Sequence, residues 1–379
     1  MIENIRALCC IFATQKVIRK AQKLDHLTQL PSVAVVILNW NGKSFLERFL
    51  PSVCASTYQN LQIILADNAS SDDSVAYTAA HYPQISIIRN PSNNGFAGGY
   101  NEALQHVKAD IYVLLNQDVE VEPGWIEPVI ELMAADTSIA ACQPKLRAYH
   151  DRKSFEYAGA AGGWMDILGY TFCRGRILHT TEVDHGQYND AQYIFWATGA
   201  ALFIRSEAFH GVNGFDPYFF AHMEEVDLCW RLQRKGLRVA YCPGSVVYHV
   251  GGGSLPQGNP RKLYLNFRNN LIMLKKNLHP SEQWIVFSQR VFLDLLAAAK
   301  SLASGKPKDM VAIFKAYRDY FRWKKIRHTL PKDTLPQVRL FALEGVFHGI
   351  MIWRYYFLQR KKFSLLEGKG GHAPQRTKK

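Results

Sequence analysis

Between Val33 and Leu115 the apolar residues come in short runs separated by longer stretches of helical spacing. Val33-Ala34-Val35-Val36-Ile37-Leu38 is the first run, and Leu61 to Ala66, Ile85 to Ile88 and Ile111 to Leu115 follow. Short apolar runs of this kind read as strands covered on both faces, as in a parallel sheet. Between them, Leu46, Phe49, Leu50 and Val53 mark one helix face, a second helix is expected from about Asp73 to His81, and a third from Tyr100 to Val107. Ser44 and Glu47 have the spacing of a capping box for the first helix. The alternation predicts a doubly wound α/β sheet.

Each run ends in polar turn chemistry: Asn39-Trp40-Asn41-Gly42, then Asp67 to Asp72, then Asn93-Asn94-Gly95, then Asn116-Gln117-Asp118. In an open α/β sheet the carboxyl ends of the strands face the ligand crevice. Asn39, Asp67, Asn94 and Asp118 therefore converge on one edge, although Asp118 taken alone reads equally well as a turn cap. The Gly95–Gly99 stretch has neither the Lys-Ser/Thr of a P-loop nor the GxGxxG spacing after a first strand, which disfavours a P-loop ATPase and a dinucleotide site. Its small residues either let backbone approach a phosphate or pack a helix closely on the sheet.

Downstream, Pro123 is expected in the first turn of a helix with Val129, Ile130 and Met133 on its apolar face, and Ile139 to Cys142 in a strand. Residues 145–192 have little pattern; Trp164, Tyr170 and Tyr188 there suit sugar stacking or plain packing. Phe195 to Ile204 reads as a turn, with Thr198 and Gly199, entering a strand. Glu224, Glu225 and Asp227 open a helix. Acids in a first turn suit the helix dipole, but a carboxylate held among apolar residues also has its pKa raised and can act as a base. Asp227 and Arg231 have the spacing of a structural pair. His249 ends a β-branched strand just before Gly251-Gly252-Gly253-Ser254, a run that reads as a hinge.

Charge divides the chain. Residues 280–379 hold 20 Lys and Arg against 7 Asp and Glu, which accounts for the whole formal net charge of +13. There, apolar and basic residues interleave at helical spacing: Trp284, Phe287, Val291, Leu295 and Leu296 form one face, and Leu340 to Leu358 is a further apolar stretch. The pattern suits helices lying on an anionic leaflet; the competing readings are a helical appendage packed on the core and a nucleic-acid-binding module. No uncharged span is long enough for a transmembrane helix. The seven cysteines form no CxxC pair, which argues against a zinc module or a disulfide framework and for a reducing compartment.

Taken together, residues 35–42, 67–72, 93–101, 116–118, 196–200, 224–231 and 249–254 resemble the inverting family 2 glycosyltransferases, especially the bacterial rhamnosyltransferase-like branch. The resemblance implies a GT-A fold, a Rossmann-like mixed sheet, over residues 31–279. An N-terminal amphipathic extension (1–30), a basic amphipathic helical region (280–367) and a disordered tail (368–379) are expected around it. It also implies a donor site from Asn39, Asn41, Asp67, Asn94, Gly95, Asn116, Thr198 and Gly199. Asp118 and His249 would bind a divalent cation, Mg2+ or Mn2+, and Glu225, beside Glu224, would be the catalytic base. Where the family often has two acids around the metal centre, this chain has Asn116 first. The implied donor is a dTDP-, UDP- or GDP-linked sugar and the acceptor a lipid-linked or glycan hydroxyl, with the enzyme peripheral on the cytoplasmic face of the membrane and no nucleic-acid partner. A sugar-nucleotide-binding protein without turnover is the alternative.

Overall fold

The computed structural model describes residues 30–251, 258–326 and 334–366. The expected N-terminal helix, Gly252 to Ser254 of the glycine hinge and the C-terminal tail lie outside them. Strands β1 (Val33–Asn39), β2 (Leu61–Asp67), β3 (Ser86–Arg89) and β4 (Ile111–Asn116) alternate with helices α1 (Lys43–Cys54), α2 (Ser74–His81) and α3 (Gly95–Leu104). All four strands run parallel, in the order β4-β1-β2-β3. The unbroken apolar runs of β1 and β4 have a simple cause, shown by β1. Val33, Val35 and Ile37 pack with Leu46, Leu50 and Val53 on one face, while Ala34 and Val36 pack with Ala97, Tyr100 and Ala103 on the other. With a period of two, both parities are buried.

Beyond β4 the sheet becomes mixed. β5 (Val119–Val121), α4 (Glu127–Ala135) and β6 (Ile139–Ala148) lead into a small second sheet of β7 (Gly163–Asp166), β8 (Thr171–Cys173), β9 (Arg176–Ile177) and β10 (Thr180–Thr181). The main sheet resumes with β11 (Gln192–Tyr193), β12 (Ala201–Arg205), α5 (Ser206–Gly211), α6 (Glu224–Arg234) and β13 (Arg238–His249). β12 inserts antiparallel between β4 and β6, and β13 lies parallel to β6 and antiparallel to β5. β13 is a single long strand, with a register shift between Cys242 and Val246.

Several local expectations are corrected. The Ser44–Glu47 capping box does not form: α1 begins at Lys43, whose N–H donates instead to the Asp72 carboxylate at 3.0 Å. Helix α3 begins at Gly95, so the glycine-rich stretch is its first turns rather than a loop before it. Pro128, not Pro123, occupies the start of α4.

The C-terminal region consists of α7 (Pro260–Asn277), α8 (Pro280–Ala303), α9 (Pro307–Ile326), β14 (Val346–Phe347) and α10 (Met351–Tyr356). It is tied to the rest by polar contacts. Asp294 of α8 accepts from the hydroxyls of Tyr170 at 3.2 Å and Tyr317 at 2.7 Å, and Asp166 accepts from the Met351 N–H at 2.9 Å. The apolar stretch from Leu340 is not one continuous helix: it makes a 3-10 turn, then β14 adds parallel to β7, then the short α10 follows. Phe287 leaves the expected exposed face of α8 and stacks on Tyr320, with ring centroids 5.7 Å apart. Among the described residues no helix is long and apolar enough to cross a membrane, and the five described cysteines are free thiols.

Candidate active site

The register of the parallel strands sets Asn39 opposite Asp67 and Leu38 opposite Asn116, so three strand ends lie side by side. Asn39 is fully buried. Its amide donates to Asp67 at 3.0 Å, Ser70 at 3.0 Å and Ser74 at 2.8 Å, while its Oδ1 has no partner. Asp67 in turn accepts from the Ser70 N–H at 3.2 Å. Asn41, at φ 49°, accepts from the Ser71 N–H at 2.7 Å. These groups brace the β1 and β2 turns against each other.

Antiparallel pairing of β5 with β13 sets His249 opposite Val119, and the Val250 N–H donates to the Asp118 carbonyl at 3.0 Å. Two side chains distant in sequence are thereby brought together: His249 Nε2 lies 3.2 Å from Asp118 Oδ1, both nearly buried. The Asn116 amide is 3.5 Å from the same ring nitrogen. Behind the imidazole, Nδ1 stands 3.4 Å from the Glu156 carboxylate, without hydrogen-bond geometry. Burial would drive His249 to its neutral form, but Glu156 and Asp118 outweigh it and hold the pKa up to about 10. Burial likewise pushes the Asp118 carboxyl up, and His249 overcomes it to bring the pKa below the usual range.

With the Nε2 proton displaced, as cation binding requires, this pair fits a divalent cation. Adjacent donors at about 2.1 Å from one octahedral ion stand about 3 Å apart, and carboxylate with imidazole suits Mn2+-type ions. A carboxylate behind a ligating imidazole is the usual outer support of such a site. Among the described residues no third His, Cys, Asp or Glu completes a cluster. That leaves coordination positions for water and a diphosphate, as Mg2+ sites commonly have.

The turn into α6 is strained. Phe220, His222 and Met223 take φ of 64°, 71° and 72°, which L-residues rarely adopt. One side chain holds much of it: the buried Asn269 amide of α7 donates to the carbonyls of Phe219, Ala221 and His222 at 3.0, 2.9 and 2.7 Å. Arg268 adds bonds to Tyr218 and Phe219 at 3.0 and 3.1 Å. The turn delivers Glu224 and Glu225, each with one buried carboxylate oxygen lacking any partner. Burial raises the Glu225 pKa to about 7, and burial together with Glu225 raises Glu224 further. His222, also buried with an unpartnered Nε2, is pushed by burial and Lys262 down to about 4. Asp227 differs. Burial would raise its pKa, but Lys276 and Arg231 keep it low, and Arg231 and Asn277 bond it at 2.8 Å each.

The loops interlock. Phe220 carbonyl oxygen accepts from the N–H of Phe96 at 2.7 Å, capping α3. A side chain at Gly95, which has φ 72°, would fall 2.4 Å from that oxygen, and one at Gly199 would fall 2.7 Å from the Phe96 ring. Thr198 is buried, its N–H donating to Gln143 at 3.0 Å. Asn94 is exposed and lines a shallow cleft with Asn93, Gly98, Asn101 and Phe220. Asn93 rather than Asn94 shapes the turn, accepting from the Gly95 N–H and Asn68 amide at 2.9 Å each. Glu225 and Glu156 both act on the buried Cys173 thiol, whose pKa burial first raises to about 11 against the opposing pull of Arg176. Glu225 thus shares a neighbourhood with the carboxylate behind His249.

Three aromatic candidates for stacking are packing residues instead. Tyr188 is buried, Tyr170 bonds Asp294, and the Trp164 ring lies edge-on to Phe363 at 5.2 Å. Glu156 carries no local signal in its weakly patterned segment. Arg268-Asn269-Asn270 does carry one, as a polar run directly ahead of Leu271-Ile272-Met273-Leu274 in α7.

Residues 34–189 match the family Glycosyl transferase family 2. The chain is 27% identical over 258 residues to N-acetylglucosaminyl-diphospho-decaprenol L-rhamnosyltransferase of Mycobacterium tuberculosis, covering 63% of this chain and 83% of the relative. It is 24% identical over 228 residues to rhamnosyltransferase WbbL of Escherichia coli, covering 57% and 83%. Among solved structures it resembles GalNAc-T7 with UDP, GalNAc and Mn2+ at a TM-score of 0.54 and 17% identity, covering 79% of this chain and 57% of that one. It also resembles S. aureus TarS 1–349 in complex with UDP-GlcNAc, at 0.52 and 12%, covering 77% and 81%.

Proposed function

This chain belongs to glycosyl transferase family 2, and from that premise we propose that it moves rhamnose from a nucleotide diphosphate donor, a dTDP-sugar first, to a hydroxyl of a lipid-linked polysaccharide precursor, with inversion. It is a nucleotide-sugar glycosyltransferase of cell-surface polysaccharide synthesis. The sugar and the lipid-linked acceptor rest on what the two rhamnosyltransferase relatives are named for. The single observation that carries the chemistry is the Asp118–His249 pair, two cation-binding donors 3.2 Å apart at the strand ends where a donor diphosphate belongs.

The division of labour follows from the residues. A divalent cation on Asp118 and His249 would offset the charge that grows on the leaving diphosphate. Glu156 orients the imidazole. Glu225 removes the acceptor proton: its free oxygen has no competing donor, and a pKa near 7 matches a base working at neutral pH. Burial alone raises Glu225, and its charge in turn raises the buried Glu224, so Glu225 is the one of the pair that ionises first. Attack from the face opposite the diphosphate inverts the anomeric carbon. The enzyme would work peripherally on the cytoplasmic face of the membrane, where such acceptors are anchored.

The experiment is transfer from a panel of dTDP-, UDP- and GDP-sugars with and without Mn2+. Cation-dependent release of nucleotide from one donor class is expected. Tight donor binding without turnover on any acceptor would favour the non-catalytic reading.

A further inference from the structure

Helix α8 has four charged residues, and the protein engages all of them. Glu282 accepts from the Leu340 N–H at 3.1 Å, Arg290 and Asp294 are buried, and Lys300 lies over the Tyr356 ring at 4.7 Å. The opposite face has none. Trp284 (82% exposed), Ile285, Phe292 (62%), Leu295, Leu296 and Leu302 stand in solvent there, spaced to cover a broad sector of the helix. The Lys300–Tyr356 contact joins this face to α10, where Trp353 stacks on Phe357 at 4.2 Å and both are exposed. Apolar surface of this extent on a folded domain marks an interaction site.

Its surroundings select the occupant. Lys306 and Lys308 follow α8, and Lys361 and Lys362 follow α10, all exposed. On α9, exposed Phe314 and Phe321 alternate with Lys315, Arg318 and Arg322, while Asp319 is taken up by Arg318 and Arg322 at 3.0 and 3.3 Å. An apolar face rimmed by cations in excess of acids complements an anionic leaflet. A two-fold contact through the same face would bring the cationic rims of two copies together.

We infer that the uncharged face of α8, continued by Trp353 and Phe357 of α10, seats this protein on an anionic lipid surface. Apolar side chains enter the headgroup boundary and the lysines and arginines meet lipid phosphates. This deepens the proposed peripheral location and rests on that reading for its purpose, but the binding is measurable apart from any sugar transfer.

The test is sedimentation of the full chain with vesicles of phosphatidylcholine alone or mixed with phosphatidylglycerol. Binding is expected with the anionic vesicles and should weaken with salt. The combined variant Phe292→Ser, Leu295→Ser and Leu296→Ser should lose on the order of 100-fold in partitioning. Its Tm and its transfer to a short water-soluble acceptor should not change. Wild-type protein left in the supernatant, equal binding by the variant, or a solution dimer that the variant turns into monomer would each overturn the inference. Vesicle binding without sugar transfer would uphold the docking face and count against the proposed chemistry instead.

Discussion

His249 Nε2 stands 3.2 Å from Asp118 Oδ1, and the pairing of β13 with β5 is what puts it there. The two residues are far apart in sequence, and the pairing of the strands brings them together. Titrating Mn2+ alone into the protein by calorimetry should therefore give binding that Asp118→Asn and His249→Ala abolish. Glu156→Gln should weaken it by about 10- to 100-fold, the usual cost of losing the support behind a ligating imidazole. Unchanged affinity in Glu156→Gln would reduce Glu156 to a bystander.

The rate should fall on the acid side. Glu225 works as a base only when ionised, and burial sets its pKa at about 7. The maximal transfer rate should then drop about tenfold per pH unit below roughly pH 7. Glu224→Gln should leave that limb in place, because burial and not a Glu224 charge raises Glu225.

The same burial costs stability. A carboxyl whose folded pKa is raised favours folding in its protonated form. That contribution is complete below its unfolded value and is lost as pH rises through about 7. Glu225→Gln should accordingly raise Tm at pH 8 by a few degrees and change it little at pH 4. Asp227 runs the other way. Its pKa is held low by Lys276 and Arg231 against burial, so its contribution is present above the ordinary carboxylate range and lost as pH falls through the lowered value.

Asn269 should behave as a positioning residue. One amide satisfies three carbonyls of the left-handed turn that delivers Glu225. Asn269→Ala should cost on the order of 3 kcal/mol in chemical unfolding. It should also lower kcat while leaving the KM for donor within about twofold. Loss of stability with unchanged kcat in the folded fraction would make its role purely structural.

The sequence foretold the parallel half of the sheet because β1 and β4 are covered on both faces and leave continuous apolar runs. Asp118, His249, Glu224 and Glu225 were visible as chemistry at element ends. The antiparallel insertion of β12 and the return of β14 onto β7 were not, since short strands depend on distant partners for their pairing. Glu156 was hidden because its role comes entirely from the imidazole it faces. The resemblance implies Asn39 as a donor contact; its amide braces Asp67, Ser70 and Ser74 and leaves its Oδ1 unpartnered. The exposed face of α8 was read with Phe287 in it, although the Tyr320 ring covers that residue.

The most direct measurement of the central claim is single-turnover transfer from dTDP-rhamnose with Mn2+ in wild type and Glu225→Gln, with donor affinity measured alongside. The account predicts donor Kd within about twofold and a transfer rate lower by about 10²- to 10⁴-fold in the variant. A variant that transfers sugar at the wild-type rate would contradict it.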